Sequence, residues 1–502
     1  MHKPLHCRGR AWGILALLLA IVVLAACVSD EDFPTPAGAK FRLSVDTLNL
    51  DTVLTHTASA TRTLTLYNDN SDGLSITRVS IEGKDAAQFL ANVDGVSITP
   101  NPNLEQHLDL DTDKGIIPSL DCRGKDSLIA FVQYNAAATN EPQAVESRAQ
   151  LVFTLANGER QSVELIGYSQ DAIPLTGKVF STNDTLAADR PYFVRDSLIV
   201  SEGATLTIAA GVTLMLRPEA FIRIDGTLIA EGTLEKPIVM RGHRMDDMFV
   251  NQPYDRIDNQ WQGLTFSATS YGNRLNYCDI HSGSWGIRCD SSDISLLKLT
   301  MENSVVHNVK QDALTLVNSQ TIIGNSQISN AEGNCISVYG GDNQFVHCTI
   351  ASFSPFTALR GNALVFHNTL NGHSCPLNRL EFVNSIITGY ATDEIFAIPD
   401  DNPDTPNNYA FRNNLLCTPE IADNAAVVNN LWEAVKDTTA RQGNFAPFDL
   451  PALRYDFRLC ADSKARSLAD PSVSAATYPL DRLGRPRSPV SDAGCYQYQE
   501  EE

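Results

Sequence analysis

The residues of this sequence best suited to chemistry are acids and bases between positions 288 and 360. Carboxylates bind divalent cations or act as general acids, and a neighbouring Lys or Arg can take the basic role. The acids are Asp290, Asp293, Asp312, Glu332 and Asp342, and the bases are Arg288, Lys310 and Arg360. Counted from the aliphatic residue that recurs in each repeat of this region, the offsets are 10 for Asp290, 6 for Asp312, 4 for Glu332 and 14 for Asp342.

Unequal offsets do not indicate a convergent catalytic site, so the catalytic residues stay unknown. Asp290, Asp312 and Arg360 are the candidates to test. Asp312 also fits a structural role, because Asp can bond its own backbone at a tight corner. His281 and His307 share one offset, which predicts a stacked or exposed pair more readily than a metal site. We therefore expect no metal and no cofactor.

The cysteines do not form an obvious framework. Of 11 cysteines, Cys7 and Cys27 belong to the N-terminal leader region, and the other nine lack short paired spacings. This distribution argues against a disulfide framework or a zinc site. Cys460 and Cys495 form the one candidate disulfide. Three cysteines at repeat positions are predicted to be small buried hydrophobic residues: Cys278, Cys335 and Cys348.

A six-residue sequence motif, called the phrase below, recurs between Trp261 and Thr418. The elements that contain it must position the acids and bases named above. Its aliphatic residue falls at Ile280, Val306, Ile328, Ile350, Ile387 and Leu416, in steps of 26, 22, 22, 37 and 29 residues. A period just above twenty with occasional insertions is typical of a solenoid with one coil per repeat. We predict that the six side chains stack in one buried column.

Short segments between the phrases alternate with a period of two, which predicts strands rather than helices. They lie at 313–316, 335–338 and 363–366. Each follows a residue that tolerates a tight corner: Asp312, Asn334 and Asn362. These corner residues are expected to stack on one another as the aliphatic residues do.

Upstream, strand-like segments between 198 and 233 are punctuated by glycines at 203, 211, 226 and 232, and segments 237–240 and 261–266 complete the pattern. Together with the repeats, residues 200–420 resemble a pectate-lyase-like right-handed parallel β-helix. The resemblance implies one such helix over 173–443, with Trp261 as a packing residue rather than a sugar-stacking one. Residues 174–194 are expected to cap the first coil. Enzymes of this type hold Ca²⁺ with acids from neighbouring coils and use a Lys or Arg as base; related hydrolases use a set of aspartates.

A separate β domain is predicted over 40–172. Alternating segments separated by Asn, Asp, Gly and Pro clusters indicate an antiparallel sandwich. The order of segments 62–68, 74–76, 81–85 and 163–167, with Phe89, resembles the immunoglobulin-like domains of the Hydin and abnormal-spindle type. The fold class expected for the chain is therefore all-β, with an immunoglobulin-like β-sandwich followed by a parallel β-helix and a C-terminal cap.

The N-terminus predicts export and lipid attachment. Residues 1–26 have basic residues before an apolar run and are typical of a signal peptide. Leu24-Ala25-Ala26-Cys27 resembles the lipobox of bacterial lipoproteins, which implies that Cys27 is acylated and binds the lipid bilayer. Residues 27–39 are expected to form a lipidated acidic tether. The acids in Val28-Ser29-Asp30-Glu31-Asp32 resemble the surface-export signal of Bacteroidetes lipoproteins; the alternative is that they are only a solvated part of the tether.

The C-terminal residues 444–502 differ in character from the repeats. Asp481, Gly484 and Arg487 match an Asp-x-x-Gly-x-x-Arg stretch that recurs near the end of many bacterial surface β-helix proteins. Lys464, Ala493 and Cys495 depart from the neighbouring parts of that pattern. We expect this segment to fold back over the final coils as a cap.

The net charge of −21 opposes binding to nucleic acid and to anionic lipid. The leading hypothesis is a non-catalytic lipoprotein of the outer membrane, facing the cell exterior, whose β-helix binds polysaccharide or another surface component. One alternative is a polysaccharide lyase or glycoside hydrolase, by fold analogy and with Ca²⁺. The other is a structural or adhesive protein with a protein partner.

Overall fold

The computed structural model describes residues 33–98, 107–109, 120–249, 251–422, 424–433 and 441–500. The predicted signal peptide, Cys27 and the acidic residues after it lie outside this range. Within the described ranges, no helix has both the length and the apolar character that a membrane crossing requires. The chain forms two compact units, one built mainly from residues before 167 and the other mainly from residues after 168.

The first unit contains two antiparallel sheets, which confirms the predicted sandwich class. The five-stranded sheet contains Arg42–Leu43, Arg62–Tyr67, Ser127–Tyr134, Phe89–Val93 and Val96–Ile98. The six-stranded sheet contains Thr47–Leu54, Arg160–Gln170, Val145–Leu155, Leu74–Glu82, His107–Asp109 and Leu120–Cys122. Alternate residues such as Leu64 and Leu66 are fully buried, as the period of two requires. A 3₁₀ helix, Ala86–Gln88, leads into Phe89, whose ring centroid lies 5.0 Å from that of Tyr134.

The second unit is a right-handed parallel β-helix with three sheets. Sheet 1 contains Ile173–Leu175, Tyr192–Val194, Thr213–Leu216, Ile238–Gly242, Cys278–His281, Val305–Val309, Gln327–Ala331, Thr349–Ser352, Ile386–Gly389, Leu415–Leu416 and Leu431–Trp432. Sheet 2 contains Lys178–Phe180, Ser197–Val200, Phe221–Ile224, Leu264–Phe266, Ile287–Cys289, Leu314–Val317, Ile336–Tyr339, Leu364–His367 and Ile395–Ile398. Sheet 3 contains Asp184–Leu186, Thr205–Ile208, Thr227–Glu231, Asn273–Asn276, Leu297–Glu302, Gln320–Gly324, Gly341–Val346, Leu377–Val383, Asn407–Arg412 and Val427–Val428.

Short elements complete this unit. Two hairpins project from the coils, Asp247–Phe249 with Gln252–Pro253 and Thr369–Leu370 with His373–Ser374. A 3₁₀ helix spans Tyr254–Arg256, and an α-helix spans Pro471–Thr477. The Asp470 side chain accepts a hydrogen bond from Ser472 N and caps the α-helix.

The predicted aliphatic column is present. In sheet 1 the paired positions are Ile280 with Val306, Val306 with Ile328, Ile328 with Ile350, Ile350 with Ile387 and Ile387 with Leu416. All six side chains are fully buried. Trp261 is also fully buried, and its Nε1 donates to the His281 carbonyl at 2.8 Å, which confirms the packing role.

Side chains at the corners bond from coil to coil. Between sheets 1 and 2, Asp312 Oδ1 accepts from Asn334 N at 2.8 Å, and Asn334 Oδ1 accepts from Asn362 N at 2.9 Å. This confirms the predicted corner stack. Between sheets 3 and 1, the first residue of each phrase has a φ of 47–57°, which Asn tolerates well: Tyr277, Asn303, Asn325, His347, Asn384 and Asn413.

The first coil differs from the prediction. Residues 174–194 do not form a separate cap, because Ile173–Leu175, Lys178–Phe180 and Asp184–Leu186 each begin one of the three sheets. Their apolar side chains, such as Phe180 and Leu186, extend the core of the helix instead of covering its end.

The C-terminal segment folds back as expected, but it lies along the outer face of sheet 1 as well as over the final coils. Phe457 and Cys495 pack in one apolar cluster with Phe353, Ile386 and Leu415. Tyr496 Oη donates to Gln327 Oε1 at 2.7 Å, several coils before the end of the helix.

The nine cysteines within the described ranges are free thiols. Cys278, Cys335 and Cys348 are fully buried, as predicted, and burial raises the pKa of the Cys335 and Cys348 thiols to about 12. The candidate disulfide is not formed: Cys460 Sγ lies 2.7 Å from the Gly443 carbonyl, whereas Cys495 is fully buried beneath the tail.

Candidate functional site

An open groove of about 840 Å³ lies along the outer face of sheet 2. Strand alternation points Leu314 and Leu316 into the core and Thr315 outward, so Thr315 lies on the floor of the groove. Because parallel strands begin at one edge of a sheet and end at the other, the groove has two unlike walls. Residues preceding the strands make one wall and residues ending the strands make the other.

The wall at the strand ends is aromatic and apolar. Tyr339 and His367 are the last residues of neighbouring strands and are paired in register. Their rings stack with centroids 4.4 Å apart and planes inclined by 14°. Val317 precedes them in the same column, and the hairpin residue Leu370 lies beside them. Burial lowers the pKa of the His367 imidazole, which favours the neutral ring.

The wall at the strand beginnings is charged. Lys310 forms an ion pair with Glu332, and Asp312 also lines this wall. Behind Glu332, the buried carboxyl of Asp258 forms a hydrogen bond with it. Burial and the neighbouring Glu332 carboxylate raise the pKa of Asp258 to about 6, because two adjacent carboxylates do not both ionise readily. Asp258 can therefore hold a proton at mildly acidic pH.

The structure brings together four of the eight predicted acids and bases. Arg288, Lys310, Asp312 and Glu332 all line the groove, contrary to the expectation from their offsets. Lys310 and Glu332 both lie four residues after the column residue of their coils, and Asp312 lies two residues further along, so unequal offsets can still fall on one wall. Counted from the strand of sheet 2 that follows, Asp312 occupies the same place as Asn334 and Asn362.

The other predicted residues lie elsewhere or are already paired. Asp290 lies 3.3 Å from Arg288, and Asp342 lies 2.7 Å from Arg379 on sheet 3. Asp293 accepts hydrogen bonds from the backbone and side chain of Ser295. Arg360 packs over the Tyr390 ring at 4.4 Å and donates to the Thr357 carbonyl.

Sequence reasoning missed Asp258, Tyr339 and His367. Tyr339 and His367 are both the fourth residue of their strands, so alignment on sheet 2 would have placed them in one column. Asp258 precedes the repeats and has no counterpart in them, so no periodic signal indicates it.

Comparison with known proteins supports the β-helix. Residues 177–252 match the family model described as a pectate-lyase-like β-helix domain. A 118-residue stretch is 30% identical to Protein bark beetle of Drosophila melanogaster, and it covers 23% of this chain and 4% of that protein. The chain thus spans a small part of that relative's length.

Two solved structures show weak similarity. A family 123 glycoside hydrolase from Clostridium perfringens has 8% identity and a TM-score of 0.19, covering 30% of each chain. BcpA, the major pilin subunit of Bacillus cereus, has 12% identity and a TM-score of 0.14, covering 28% of this chain and 43% of that one. Scores this low do not establish a common fold.

Proposed function

We propose that this chain is a non-catalytic lipoprotein of the outer cell surface that binds a polysaccharide in the groove of sheet 2. The observation that carries the proposal is the stacked pair Tyr339 and His367 beside a row of polar side chains. Aromatic faces suit the apolar faces of sugar rings, and a few placed polar groups can bond the sugar hydroxyls and fix orientation. The groove is open, which suits an extended chain better than a small molecule.

The charges in the groove support binding over catalysis. Lys310 is paired with Glu332, Arg288 is paired with Asp290, and Asp312 bonds the backbone of the next coil. A basic side chain in an ion pair, or a carboxylate that accepts a backbone hydrogen bond, is less free to exchange a proton with a substrate than an unpaired one. The same side chains can still offer hydrogen bonds to hydroxyl groups.

Anchoring at Cys27 rests on the sequence alone. The lipobox-like Leu24-Ala25-Ala26-Cys27 supports acylation, and more than one acyl chain supports stable attachment to a bilayer. We expect Cys27→Ser to abolish labelling by a palmitate analogue and to release the protein from the membrane fraction. Labelling that survives this change would contradict lipid attachment.

Glycan binding is tested with a polysaccharide array and the detergent-solubilised full-length protein. Tyr339→Ala and His367→Ala should each weaken binding about two- to tenfold, because aromatic stacking contributes about 0.5–1.5 kcal/mol per contact. Phe131→Ala is the matched control, since Phe131 is an exposed aromatic residue of the sandwich. Binding that the control weakens equally, or the absence of any glycan ligand, would count against the proposal.

A polysaccharide lyase or glycoside hydrolase is the second candidate, favoured by the raised pKa of Asp258 beside Glu332. The bound polysaccharides are therefore also assayed for new unsaturated or reducing ends. An enzyme using Asp258 as its acid would lose activity as the pH rises above about 6 and would be inactivated by Asp258→Asn. Binding without new ends supports the non-catalytic proposal.

A further inference from the structure

A second group of polar side chains lies on the outer face of sheet 1, away from the sheet 2 groove. Asp279 and His281 belong to the strand Cys278–His281, and His307 belongs to the neighbouring strand Val305–Val309. Ile280 and Val306 point into the core, so strand alternation directs these three side chains outward. We call them the His–Asp cluster. The register pairs His281 with His307 directly.

The three side chains converge on one point. Asp279 Oδ1 lies 2.9 Å from His281 Nδ1 and 3.1 Å from His307 Nε2. The two imidazole rings stack with centroids 4.8 Å apart, which confirms the predicted stacked pair. One ligand atom from each residue falls within 4.8 Å of the others, and no other group of this kind occurs among the residues described.

The two distances to Asp279 Oδ1 match the spacing of ligands around a small metal ion, whereas the two imidazole nitrogens, within 4.8 Å of each other, would draw closer around an ion. Two ligands about 2.0–2.2 Å from an ion, at the angles of four- to six-fold coordination, lie about 3 Å apart. At present N–H···O hydrogen bonds join the atoms. An ion can take the place of those protons if each neutral imidazole carries its proton on the other ring nitrogen.

The C-terminal segment leaves room for a further ligand. It encloses a cavity of about 350 Å³, lined by Asp279 and His307 from sheet 1 and by Tyr455, Arg482 and Tyr496 from the tail. A water molecule fits easily in such a space and would have polar partners there. Three protein ligands with one open position are typical of zinc sites that keep a water.

The charges around the cluster moderate its affinity. The positive charges of Arg241 and Arg482 interact with His281 and Asp279, and their repulsion opposes the binding of a dication. The Asp279 carboxylate and the nearby Asp255, which lies 3.4 Å from Arg241, act in the opposite direction. Removing one arginine should therefore tighten cation binding.

We propose that the His–Asp cluster binds one divalent transition-metal ion of the Zn²⁺ class, through Asp279 Oδ1, His281 Nδ1 and His307 Nε2, with a water in the cavity as a further ligand. Two imidazoles and one carboxylate suit Zn²⁺, Co²⁺ and Ni²⁺, whereas Ca²⁺ and Mg²⁺ require oxygen ligands. The ion would join two coils beneath the tail.

The test uses the full-length protein without a histidine tag, stripped with a chelator and titrated with Co²⁺ and Zn²⁺. We expect one ion per chain, a visible Co²⁺ absorption band that Zn²⁺ abolishes, and no binding of Ca²⁺. Asp279→Asn and His307→Gln should each weaken Zn²⁺ binding by about 100-fold or more, and Arg482→Gln should tighten it several-fold. Zn²⁺ should raise the melting temperature of the wild type but not that of Asp279→Asn.

Two controls exclude other metal ligands. His373 lies on an exposed hairpin, so His373→Gln should bind Zn²⁺ as the wild type does. Cys460 is the one cysteine among the described residues that is not buried, and Cys460→Ser should also leave binding unchanged. Asp279→Asn and His307→Gln are compared with the wild type by circular dichroism in the metal-free state, so loss of fold is separated from loss of ligands. Absence of Co²⁺ absorption, or equal binding by the wild type and a folded Asp279→Asn variant, would overturn the proposal.

Discussion

Single corner residues determine how one coil joins the next. Asp312, Asn334 and Asn362 each place a side-chain oxygen or backbone N–H where the neighbouring coil has the complementary group. In the next coil Glu394 lies one residue nearer to the strand than these corner residues do, at the position equivalent to Ala363, and its Oε2 accepts from Ala363 N at 2.8 Å.

The Glu394 side chain is fully buried. Its second carboxylate oxygen, Oε1, accepts a hydrogen bond from Ala391 N at 2.7 Å. Burial raises the pKa of this carboxyl to about 7, and Arg441 and Arg360 act in the opposite direction. The folded state therefore holds the proton of Glu394 more tightly than the unfolded chain does.

The stability of the β-helix should depend on pH through Glu394. A raised pKa in the folded state stabilises the protein below the unfolded value near 4.5, and this stability is lost as the pH rises to about 7. The loss amounts to at most about 3 kcal/mol. Urea unfolding at a series of pH values between 4 and 8 measures it.

Glu394→Gln removes the titrating group, so the fall in unfolding free energy over this pH range should become smaller. Glu420→Gln, at an exposed glutamate, is the control and should keep the wild-type slope. An identical slope in all three proteins would show that Glu394 does not titrate between the two states.

The strands are stabilised by like residues that repeat along the helix. Parallel strands in register place Ile328 between Val306 and Ile350, so each aliphatic side chain contacts its equivalents in two coils. Phe345 and Phe382 repeat this arrangement on sheet 3, with ring centroids 4.4 Å apart and planes inclined by 6°. Truncation of one member therefore leaves a cavity shared by three coils.

Ile328→Ala should lower the unfolding free energy by about 2–5 kcal/mol, and Ile328→Val by about 0.5–1.5 kcal/mol, because the cavity grows with the number of methyl groups removed. Denaturant unfolding followed by tryptophan fluorescence measures the shift in midpoint. Leu359→Ala is the control, because Leu359 is 93% exposed and a surface change costs about 0.5 kcal/mol or less. Equal costs at positions 328 and 359 would contradict the buried column.

In the β-helix unit as a whole, the tail covers the outer face of sheet 1 and is anchored to it. Arg487, which is fully buried, donates to Asn325 Oδ1 at 2.8 Å and to the Gly494 carbonyl at 3.0 Å. It thereby joins the tail to the corner residues of the helix. Beneath the tail, Phe353 and Ile386 are fully buried on a face that would otherwise contact water.

Arg487→Ala should loosen the tail, because it removes the donor to Asn325 Oδ1 and to the Asp492 carbonyl, at a cost of about 1–3 kcal/mol for each group that stays dry. Limited proteolysis should then cleave between 444 and 500 at a faster rate, and binding of an apolar dye should increase. Arg466→Ala, which changes an exposed arginine of the same segment, is the control. Unchanged cleavage in Arg487→Ala would show that this residue does not hold the tail.

The sequence by itself determined the strands, the aliphatic column from Ile280 to Leu416 and the corner role of Asp312. These features depend on a period of two within a strand and on one residue per coil, and both are local properties of the chain. Burial of Cys278, Cys335 and Cys348 follows from the same repeat.

Only the tertiary structure decided which polar side chains meet. Lys310 and Glu332 share an offset of four from the aliphatic column, but Asp258 precedes the repeats and reaches them only in the folded chain. The tail lies along sheet 1 because its apolar residues match the outer face formed by Phe353, Ile386 and Leu415, a surface contributed by three distant segments. Contacts of this kind have no sequence period, since each is made once and between residues far apart in the chain.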